Sequence, residues 1–320
     1  MFLSVKNECG FTIKMNKTMQ RIILFYKYVS IANPGSVMAW QKKFCQELQL
    51  KGRVILAHEG INGTLGGNAE NVERYIEHMQ AHELFADIDF KESFDQEDRF
   101  PRLRIVVKKE IVYLGLDPNV ITAAQAGKHL EPAQAHELIA QKPDNLVIID
   151  CRNRAESAIG IIDGATRPPV DRFRDFPAYI DEHEQDFKDK QILMYCTGGV
   201  RCERASAYIK SKKIAQEVYH MKGGIHRYVQ EFPKGFFKGK NYVFDGRTAV
   251  RVTDDVLGNC FICNASCDDY TNCLRARCNR HFICCKTCKQ TYGNMCSASC
   301  QDLVVNQNAA RRPDPAQAYN

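Results

Sequence analysis

The sequence of 320 residues lacks any apolar run close to the roughly 20 residues that a transmembrane helix needs. Its N-terminus also lacks the basic, apolar and small-residue pattern of a secretory signal. No flavin or dinucleotide fingerprint is evident along the chain, and no iron facial triad is evident either. We therefore expect a cytoplasmic protein with no membrane span and no flavin or nicotinamide site.

Charge is close to balance, whereas cysteine is abundant. Lys and Arg outnumber Asp and Glu by 44 to 38, and this excess of +6 is compatible with a polyanionic partner without identifying one. Ten of the 15 cysteines lie between Cys260 and Cys300 in paired spacings. In a reducing compartment such spacings indicate metal binding rather than disulfides. The length is sufficient for two or three domains.

The stretch that begins at Gln191 predicts a buried strand, a tight loop and a helix. The loop starts at Cys196, contains Gly198 and Gly199, and reaches Arg201 after four intervening residues. Backbone N–H groups and a helix N-terminus that face a sulfur favour its anion, so the pKa of Cys196 should fall below the value of about 8.5 for a free cysteine. This spacing resembles the six-residue active-site loop of the rhodanese family, whereas tyrosine and dual-specificity phosphatases use a loop one residue longer. We expect Cys196 to be the nucleophile and Arg201 to add a fixed positive charge.

Other residues around this loop are candidates for support. An apolar strand over residues 146–149 ends at Asp150, and an ion pair between Asp150 and Arg152 that supports the loop is preferred to direct catalysis. Cys202 is either a thiol that resolves an oxidised or persulfidated Cys196 or a packed small residue. Alternating strands and helices over residues 128–235 predict a parallel sheet that is covered on both faces.

Residues 21–115 show a different order of elements. Strands are predicted over residues 22–29, 53–57 and 61–66, and helices over about 36–50 and 68–82. Later strands at about 103–107 and 110–114 complete a βαββαβ order, which predicts a ferredoxin-like α+β domain. The polar stretch from His58 to Thr64 is a hairpin turn or a ligand loop. Five basic residues further along form a basic cluster, for which a solvated face is the ordinary explanation. They are Arg99, Arg102, Arg104, Lys108 and Lys109.

The C-terminal segment at residues 255–302 predicts metal binding. Two CxxC pairs and four further cysteines supply eight thiolates, enough for two structural zinc ions with four ligands each. The eight are Cys260, Cys263, Cys273, Cys278, Cys285, Cys288, Cys296 and Cys300. Their grouping stays open, Cys267, Cys284 and His281 are alternative ligands, and an iron–sulfur cluster is the minor alternative. Metal binding would also stabilise a segment too short to build a large core.

Four motifs together resemble the rhodanese-domain tRNA uridine hydroxylase family over about residues 21–302. They are residues 59–64 (EGINGT), 173–177 (FRDFP), 196–203 (CTGGVRCE) and the cysteine-rich segment. The resemblance implies a central rhodanese-like domain and an oxygen-dependent 5-hydroxylation of the wobble uridine, position 34, in tRNA. It implies that Cys196, as thiol or persulfide, is the active-site residue, that O2 is the co-substrate and that tRNA is the partner. Glu59, Asn62, Thr64 and Arg174 become candidate substrate-binding residues.

Three other functions compete with this one. A rhodanese-type sulfurtransferase would use a persulfide on Cys196, and an RNA-binding module would use the fold as a scaffold without catalysis. A phosphatase is disfavoured by the length of the loop. The electron donor, the set of tRNAs and the oligomeric state do not follow from the sequence.

Overall fold

The computed structural model describes residues 4–6, 12–14 and 19–312. The short strands β1 (Ser4–Lys6) and β2 (Thr12–Lys14) pair antiparallel. Three larger parts follow: an N-terminal domain, a central domain and a cysteine-rich C-terminal segment. No helix among the described residues has the length and apolar character to cross a membrane.

The N-terminal domain packs two helices on one face of a five-stranded sheet. Its elements are β3 (Gln20–Tyr28), α1 (Pro34–Glu47), β4 (Lys51–Ala57), β5 (Gly60–Asn68), α2 (Ala69–Gln80), β6 (Asp89–Asp95) and β7 (Leu103–Val107). The strand order is β6-β3-β5-β4-β7, in which β7 alone pairs parallel to its neighbour. Strands β3, β4, β5 and β6 have the ferredoxin-like arrangement, so the predicted fold class of this domain is confirmed.

The predicted identity of the fourth strand was wrong. The fourth strand is β6, and β7 is an additional edge strand beside β4. Strand β6 carries Lys91 and Ser93 on a buried face, so it lacks the apolar alternation that indicates a strand. The predicted strand at residues 110–114 is irregular, because the carboxylate of Glu110 accepts hydrogen bonds from the backbone N–H groups of Leu114 and Gly115 at 2.9 and 3.3 Å.

The two faces of this sheet have different neighbours. Phe25, Ile61 and Leu65 point to the helices and form the domain core. Because side chains alternate along a strand, Leu24 and Tyr26 point to the opposite face, which packs on the central domain.

The central domain is built around a parallel sheet with the order β8-β12-β11-β9. Its elements are β8 (Lys128–Leu130), α3 (Pro132–Gln141), β9 (Leu146–Asp150), α4 (Arg154–Ser157), β10 (Gly160–Ile162), α5 (Phe176–Glu182), α6 (Glu184–Phe187), β11 (Gln191–Tyr195), α7 (Val200–Lys212), β12 (Glu217–Met221) and α8 (Gly224–Glu231). Strand β11 is central, and its side chains enter one hydrophobic core on each face of the sheet. The predicted parallel sheet is confirmed.

The C-terminal segment continues the chain from the central domain. Its elements are β13 (Phe237–Tyr242), β14 (Ala249–Arg251), β15 (Tyr270–Asn272), β16 (His281–Ile283), α9 (Lys286–Tyr292) and α10 (Ala298–Val305). Strand β13 pairs antiparallel with β10, which joins this segment to the central domain. Beyond β14 the core consists largely of cysteine sulfur, with Phe282 and Met295 as its buried apolar side chains.

Candidate active site

Cys196 lies at the carboxyl end of β11, where the chain turns into α7. The backbone N–H of Gly199 donates a hydrogen bond to the Cys196 sulfur at 3.1 Å. Gly199 has a φ of 103°, a left-handed conformation that a residue with a side chain rarely adopts. A Cβ atom at this position would also lie 2.8 Å from the Tyr26 hydroxyl oxygen. The glycine therefore allows both the turn and the close approach of the N-terminal domain.

The surroundings of Cys196 stabilise a thiolate. Burial alone would raise its pKa, but hydrogen bonds from the Cys202 thiol and from backbone N–H groups, together with the charge of Arg201, lower the pKa to about 5. Cys202 stays protonated, because burial and its hydrogen bond with the Cys151 thiol raise its pKa well above the ordinary value. Cys196 is therefore an anion near neutral pH and has the character of a nucleophile.

Arg201 is fixed by a partner that the sequence did not indicate. Its guanidinium donates to both carboxylate oxygens of Glu156, each at 2.6 Å, in a bidentate and buried ion pair. Burial would raise the pKa of Glu156, but the charge and hydrogen bonds of Arg201 lower it. Glu156 lies in the short helix α4, whose start it stabilises by accepting a bond from the N–H of Asn153 at 3.1 Å. The pair holds the positive charge of Arg201 beside the loop.

Asp150 and Arg152 form a second buried ion pair beneath the loop. Arg152 Nη2 lies 2.7 Å from Asp150 Oδ2, and the hydroxyl of Tyr195 donates to the same carboxylate oxygen at 3.1 Å. Arg152 also donates to the carbonyl of Gly160. Neither charged group of this pair reaches solvent. A supporting role for this pair in the loop stays a prediction.

Cys196 is 0 % exposed and packs in a core of the central domain, and the sheet of the N-terminal domain lies against its loop. The Tyr26 hydroxyl donates to Glu203 at 2.9 Å, and the Tyr28 hydroxyl donates to the Val200 carbonyl at 3.2 Å. A Cβ atom at Gly198 would lie 2.7 Å from Leu24. These contacts place the N-terminal sheet directly against the cysteine loop.

A row of side chains that is polar except for Leu24, called the polar row, crosses the covering sheet and ends beside the cysteine loop. Strand pairing places five side chains in one register across all five strands, which are Arg104, Arg53, Thr64, Leu24 and Lys91. Burial and the neighbouring charge of Arg104 lower the pKa of Arg53, and among the described residues neither arginine has an acidic partner. This row has two unpaired positive charges at its open end.

Lys91, at the other end of the row, is a buried lysine near the reactive sulfur. Its ammonium lies 3.0 Å from Asp89 and 5.0 Å from the centre of the Tyr26 ring. Burial lowers the pKa of Lys91, although the charges of Asp89 and Cys196 oppose this shift. The sequence did not single out Lys91, Glu156 or Tyr26. No local pattern could have indicated Lys91, because β6 lacks the apolar alternation of a strand.

The four predicted substrate-binding residues lie in two places. Glu59 and Asn62 bind the backbone of Ile111, since the Ile111 N–H donates to Glu59 at 2.7 Å and the Asn62 amide donates to the Ile111 carbonyl at 3.1 Å. Burial raises the pKa of Glu59. Arg174 packs near Gly115, further along the segment that starts at Ile111. Thr64 lies apart from these three, on the polar row.

The eight predicted metal-binding cysteines fall into two sets of four. The first cysteine set contains Cys260, Cys263, Cys285 and Cys288, and the second cysteine set contains Cys273, Cys278, Cys296 and Cys300. Within each set all sulfur atoms lie within 4.8 Å of one another. The sets interleave along the chain, so each closes a loop that includes part of the other. The alternative ligands Cys267, Cys284 and His281 belong to neither set. Two four-cysteine clusters with the spacing of metal sites are therefore present.

Comparison with known proteins assigns each part of the chain. The UPF0176 acylphosphatase like domain matches residues 20–111, the Rhodanese-like domain matches residues 131–231, and the Rhodanase C-terminal family matches residues 238–301. A relative from Staphylococcus carnosus (strain TM300) is 37 % identical, covering 91 % of this chain and 92 % of its own. One from Bacillus velezensis is 38 % identical, covering 88 % of each chain. One from Acholeplasma laidlawii is 37 % identical, covering 88 % of this chain and 89 % of its own. All three are named tRNA uridine(34) hydroxylase.

Proposed function

The chain belongs to the family of tRNA uridine(34) hydroxylases, and we propose that it hydroxylates uridine 34 of tRNA at C5, in an oxygen-dependent reaction that requires the Cys196 thiolate. The observation that carries this proposal is the position of Cys196 at the carboxyl end of β11, where the Gly199 N–H donates to its sulfur at 3.1 Å and Arg201 follows in the first turn of α7. Reactive cysteines need this combination of N–H donors and positive charge. We further propose that Cys196 acts as a thiol or persulfide, with Arg201 as its charge partner and Cys202 as hydrogen-bond donor or resolving thiol.

We propose that tRNA approaches along the polar row on the N-terminal sheet. Phosphate groups bind arginine pairs that lack acidic partners, which describes Arg53 and Arg104. Thr64 and Leu24 follow these arginines in the same register and lead to the loop at Gly198. An extruded nucleobase then enters between the sheet and the loop, as in enzymes that act on flipped bases. The proposed location is the cytoplasm, where tRNA would be the substrate.

Zinc fits both cysteine sets. Four thiolates at 2.3 Å from a zinc ion have sulfur atoms about 3.8 Å apart in tetrahedral geometry. The distances Cys263–Cys285, Cys278–Cys296 and Cys296–Cys300 are 3.7, 3.6 and 3.8 Å. Both sets contain four sulfur ligands and leave no fourth position open, so we propose two structural zinc ions. We also propose three functional units at residues 21–115, 128–235 and 255–302.

The test uses tRNA from cells that lack the protein. Nucleosides are analysed by mass spectrometry after complementation with the wild type, with Cys196→Ala or with Cys45→Ala. Cys45 is a matched control, because it is a buried cysteine in the N-terminal core whose burial raises its pKa to about 12. We expect 5-hydroxyuridine and its derivatives with the wild type and Cys45→Ala, and none with Cys196→Ala.

Unchanged modification in all three strains would reject the proposal. The sulfurtransferase alternative is favoured by the same six-residue loop and predicts release of thiocyanate from thiosulfate and cyanide by the wild type. Thiocyanate release that depends on Cys196, without any effect on tRNA, would establish that alternative instead.

A further inference from the structure

Two histidines and one glutamate meet beside the Cys196 loop and have no role in the proposed reaction so far. We call His129, Glu203 and His220 the histidine–glutamate cluster. His129 on β8 and His220 on β12 are directly opposite in the parallel register, and their ring centres are 4.0 Å apart. Glu203 projects from the first turn of α7 onto the same strands. The cluster therefore joins α7, the helix that follows the Cys196 loop, to two strands of the same parallel sheet.

The ligand atoms of the cluster are spaced for one metal ion. His129 Nε2 lies 2.9 Å from one carboxylate oxygen of Glu203, and His220 Nε2 lies 3.7 Å from the other. All three ligand atoms lie within 4.8 Å of one another. Nitrogen and oxygen ligands at about 2.1 Å from a metal ion are separated by about 3 Å when they occupy one face of an octahedron. Only small side-chain shifts separate the cluster from that geometry.

An ordinary ion pair does not explain the cluster. An ion pair between His129 and Glu203 accounts for those two residues but not for His220, whose side chain is buried at 1 % exposure. Neither ring nitrogen of His220 makes a hydrogen bond of good geometry among the described residues, and its polar neighbours are the Glu203 carboxylate at 3.7 Å and the backbone of Gly127. Buried imidazole nitrogens without partners are unfavourable, because they lose their bonds to water and gain none in return. A metal ion would supply the missing partner.

The cluster is open on one side and coupled to the cysteine loop on the other. The side chain of His129 is 47 % exposed, whereas that of Glu203 is 9 % exposed. A bound ion would therefore keep coordination positions open toward solvent. Tyr26 donates its hydroxyl to Glu203 at 2.9 Å and lies against Gly199 of the cysteine loop. Tyr26 would thus connect the ligand Glu203 of the ion to the cysteine loop.

We propose that His129, Glu203 and His220 bind a divalent first-row transition-metal ion, and specifically iron(II). Two imidazoles and one carboxylate with open positions form the ligand set of non-haem iron(II) oxygenases. The choice of iron over zinc rests on the proposed function, because that reaction consumes O2. Metal binding itself rests only on the geometry of the three side chains. The members are 74 and 17 residues apart in the chain, which is why the sequence shows no facial triad.

The test measures iron binding directly. The full-length protein with its cysteine sets filled by zinc is titrated anaerobically with iron(II), and bound iron is counted after removal of free metal. Nitric oxide is then added, because nitrogen- and oxygen-ligated iron gives a high-spin nitrosyl signal in electron paramagnetic resonance that differs from that of thiolate-ligated iron. The variants are His129→Ala and Glu203→Gln. The matched control is His78→Ala, which removes an exposed histidine of the N-terminal domain.

We expect one high-spin iron per chain in the wild type and in His78→Ala. Both cluster variants should bind iron roughly tenfold more weakly or worse. His129→Ala alters an exposed side chain, so it keeps the test valid even where Glu203→Gln disturbs folding. Absence of the high-spin signal in the wild type, or equal binding by His129→Ala, would overturn the proposal.

The result is independent of the test of function. Formation of 5-hydroxyuridine by a protein that binds no iron would reject the metal site alone. Iron binding by a protein that leaves tRNA unmodified would reject the hydroxylase function and keep the metal site.

Discussion

The Cys196 loop and the two cysteine sets both hold sulfur in shielded surroundings, but they do so with different partners. Cys196 is stabilised as an anion by backbone N–H groups, the Cys202 thiol and a guanidinium held by Glu156. In the cysteine sets, four sulfur atoms face each other, and Arg275 donates a long hydrogen bond of 3.8 Å to one of them, Cys300. A thiolate held by hydrogen bonds stays a nucleophile, whereas a thiolate in a closed four-thiolate metal site serves as a structural ligand.

This difference also decides what stabilises each region. The cysteine loop follows a strand whose side chains enter two hydrophobic cores of the central domain, and the sheet of the N-terminal domain covers it. The fold therefore fixes the geometry of the loop. The C-terminal segment has a core made mainly of cysteine. Its contacts to the central domain include a bond from the Tyr270 hydroxyl to the Ala155 carbonyl at 2.7 Å, next to Glu156. The metal ions we propose would therefore stabilise the segment that contacts Ala155, the residue before Glu156.

Removal of the metal ions should have the largest effect. Structural zinc contributes on the order of 10 kcal/mol to the folding of small domains, comparable with the whole stability of a typical domain. We expect a strong chelator to unfold residues 255–305 while the sheets of the other two domains stay folded. Hydrogen–deuterium exchange with mass spectrometry measures this region by region. Cys263→Ser should unfold the segment without chelator, whereas Cys267→Ser, outside both sets, should not. Continued protection of the segment after complete metal loss would contradict the prediction.

The ion pair beside Cys196 should yield two opposite shifts of the pKa of Cys196. Arg201→Gln removes a positive charge, so the pKa should rise from about 5 by on the order of one unit or more. Glu156→Gln removes the negative charge that compensates Arg201, so the pKa should fall. The thiolate absorbance is titrated in each variant, and the titration of the same protein with Cys196→Ala is subtracted to cancel the other cysteines.

The pH dependence of activity should follow from these shifts. Because the thiolate is the deprotonated form, the wild type stays ionised from about pH 6 upward, and its activity should be insensitive to the state of Cys196 there. The activity of Arg201→Gln should decline as the pH falls toward its raised pKa. Glu156→Gln should keep activity at low pH but lose about 3–5 kcal/mol of stability, because Arg201 becomes a buried charge without a partner. Shifts of equal sign in both variants would show that the ion pair does not set the pKa.

Local patterns predicted the strand, the loop and the helix around Cys196, whereas the roles of Cys196 and Arg201 stay predictions. The strand, Cys196, the glycines and Arg201 are contiguous, so one stretch of sequence specifies the turn and the helix that follows it. The eight cysteines were likewise recognisable from their spacing. Their grouping was not, because the two sets interleave and only the folded segment brings Cys260 beside Cys285.

The residues that sequence reasoning missed depend on distant parts of the chain. Glu156 is 45 residues from Arg201, and a short polar helix gives no sign that its carboxylate points at a cysteine loop. Lys91 lies on a strand whose buried face is polar because it contacts another domain, so its pattern does not indicate a sheet. The residues of the hairpin from His58 to Thr64 also have different surroundings, which local sequence could not indicate. Asn62 binds the backbone of Ile111, whereas Thr64 lies on the polar row.

The smallest expected effects separate these two hairpin residues. Asn62→Ala removes one hydrogen bond to the Ile111 carbonyl, so it should cost about 1 kcal/mol of stability and leave the affinity for tRNA unchanged. Thr64→Val keeps the shape of the side chain and removes only a hydroxyl from the polar row, so it should weaken tRNA binding severalfold with little change in stability. Thermal unfolding and tRNA binding at fixed ionic strength measure both variants. A loss of tRNA affinity in Asn62→Ala that exceeds the loss in Thr64→Val would make Asn62 a direct substrate contact, and the row would no longer mark the path of the RNA.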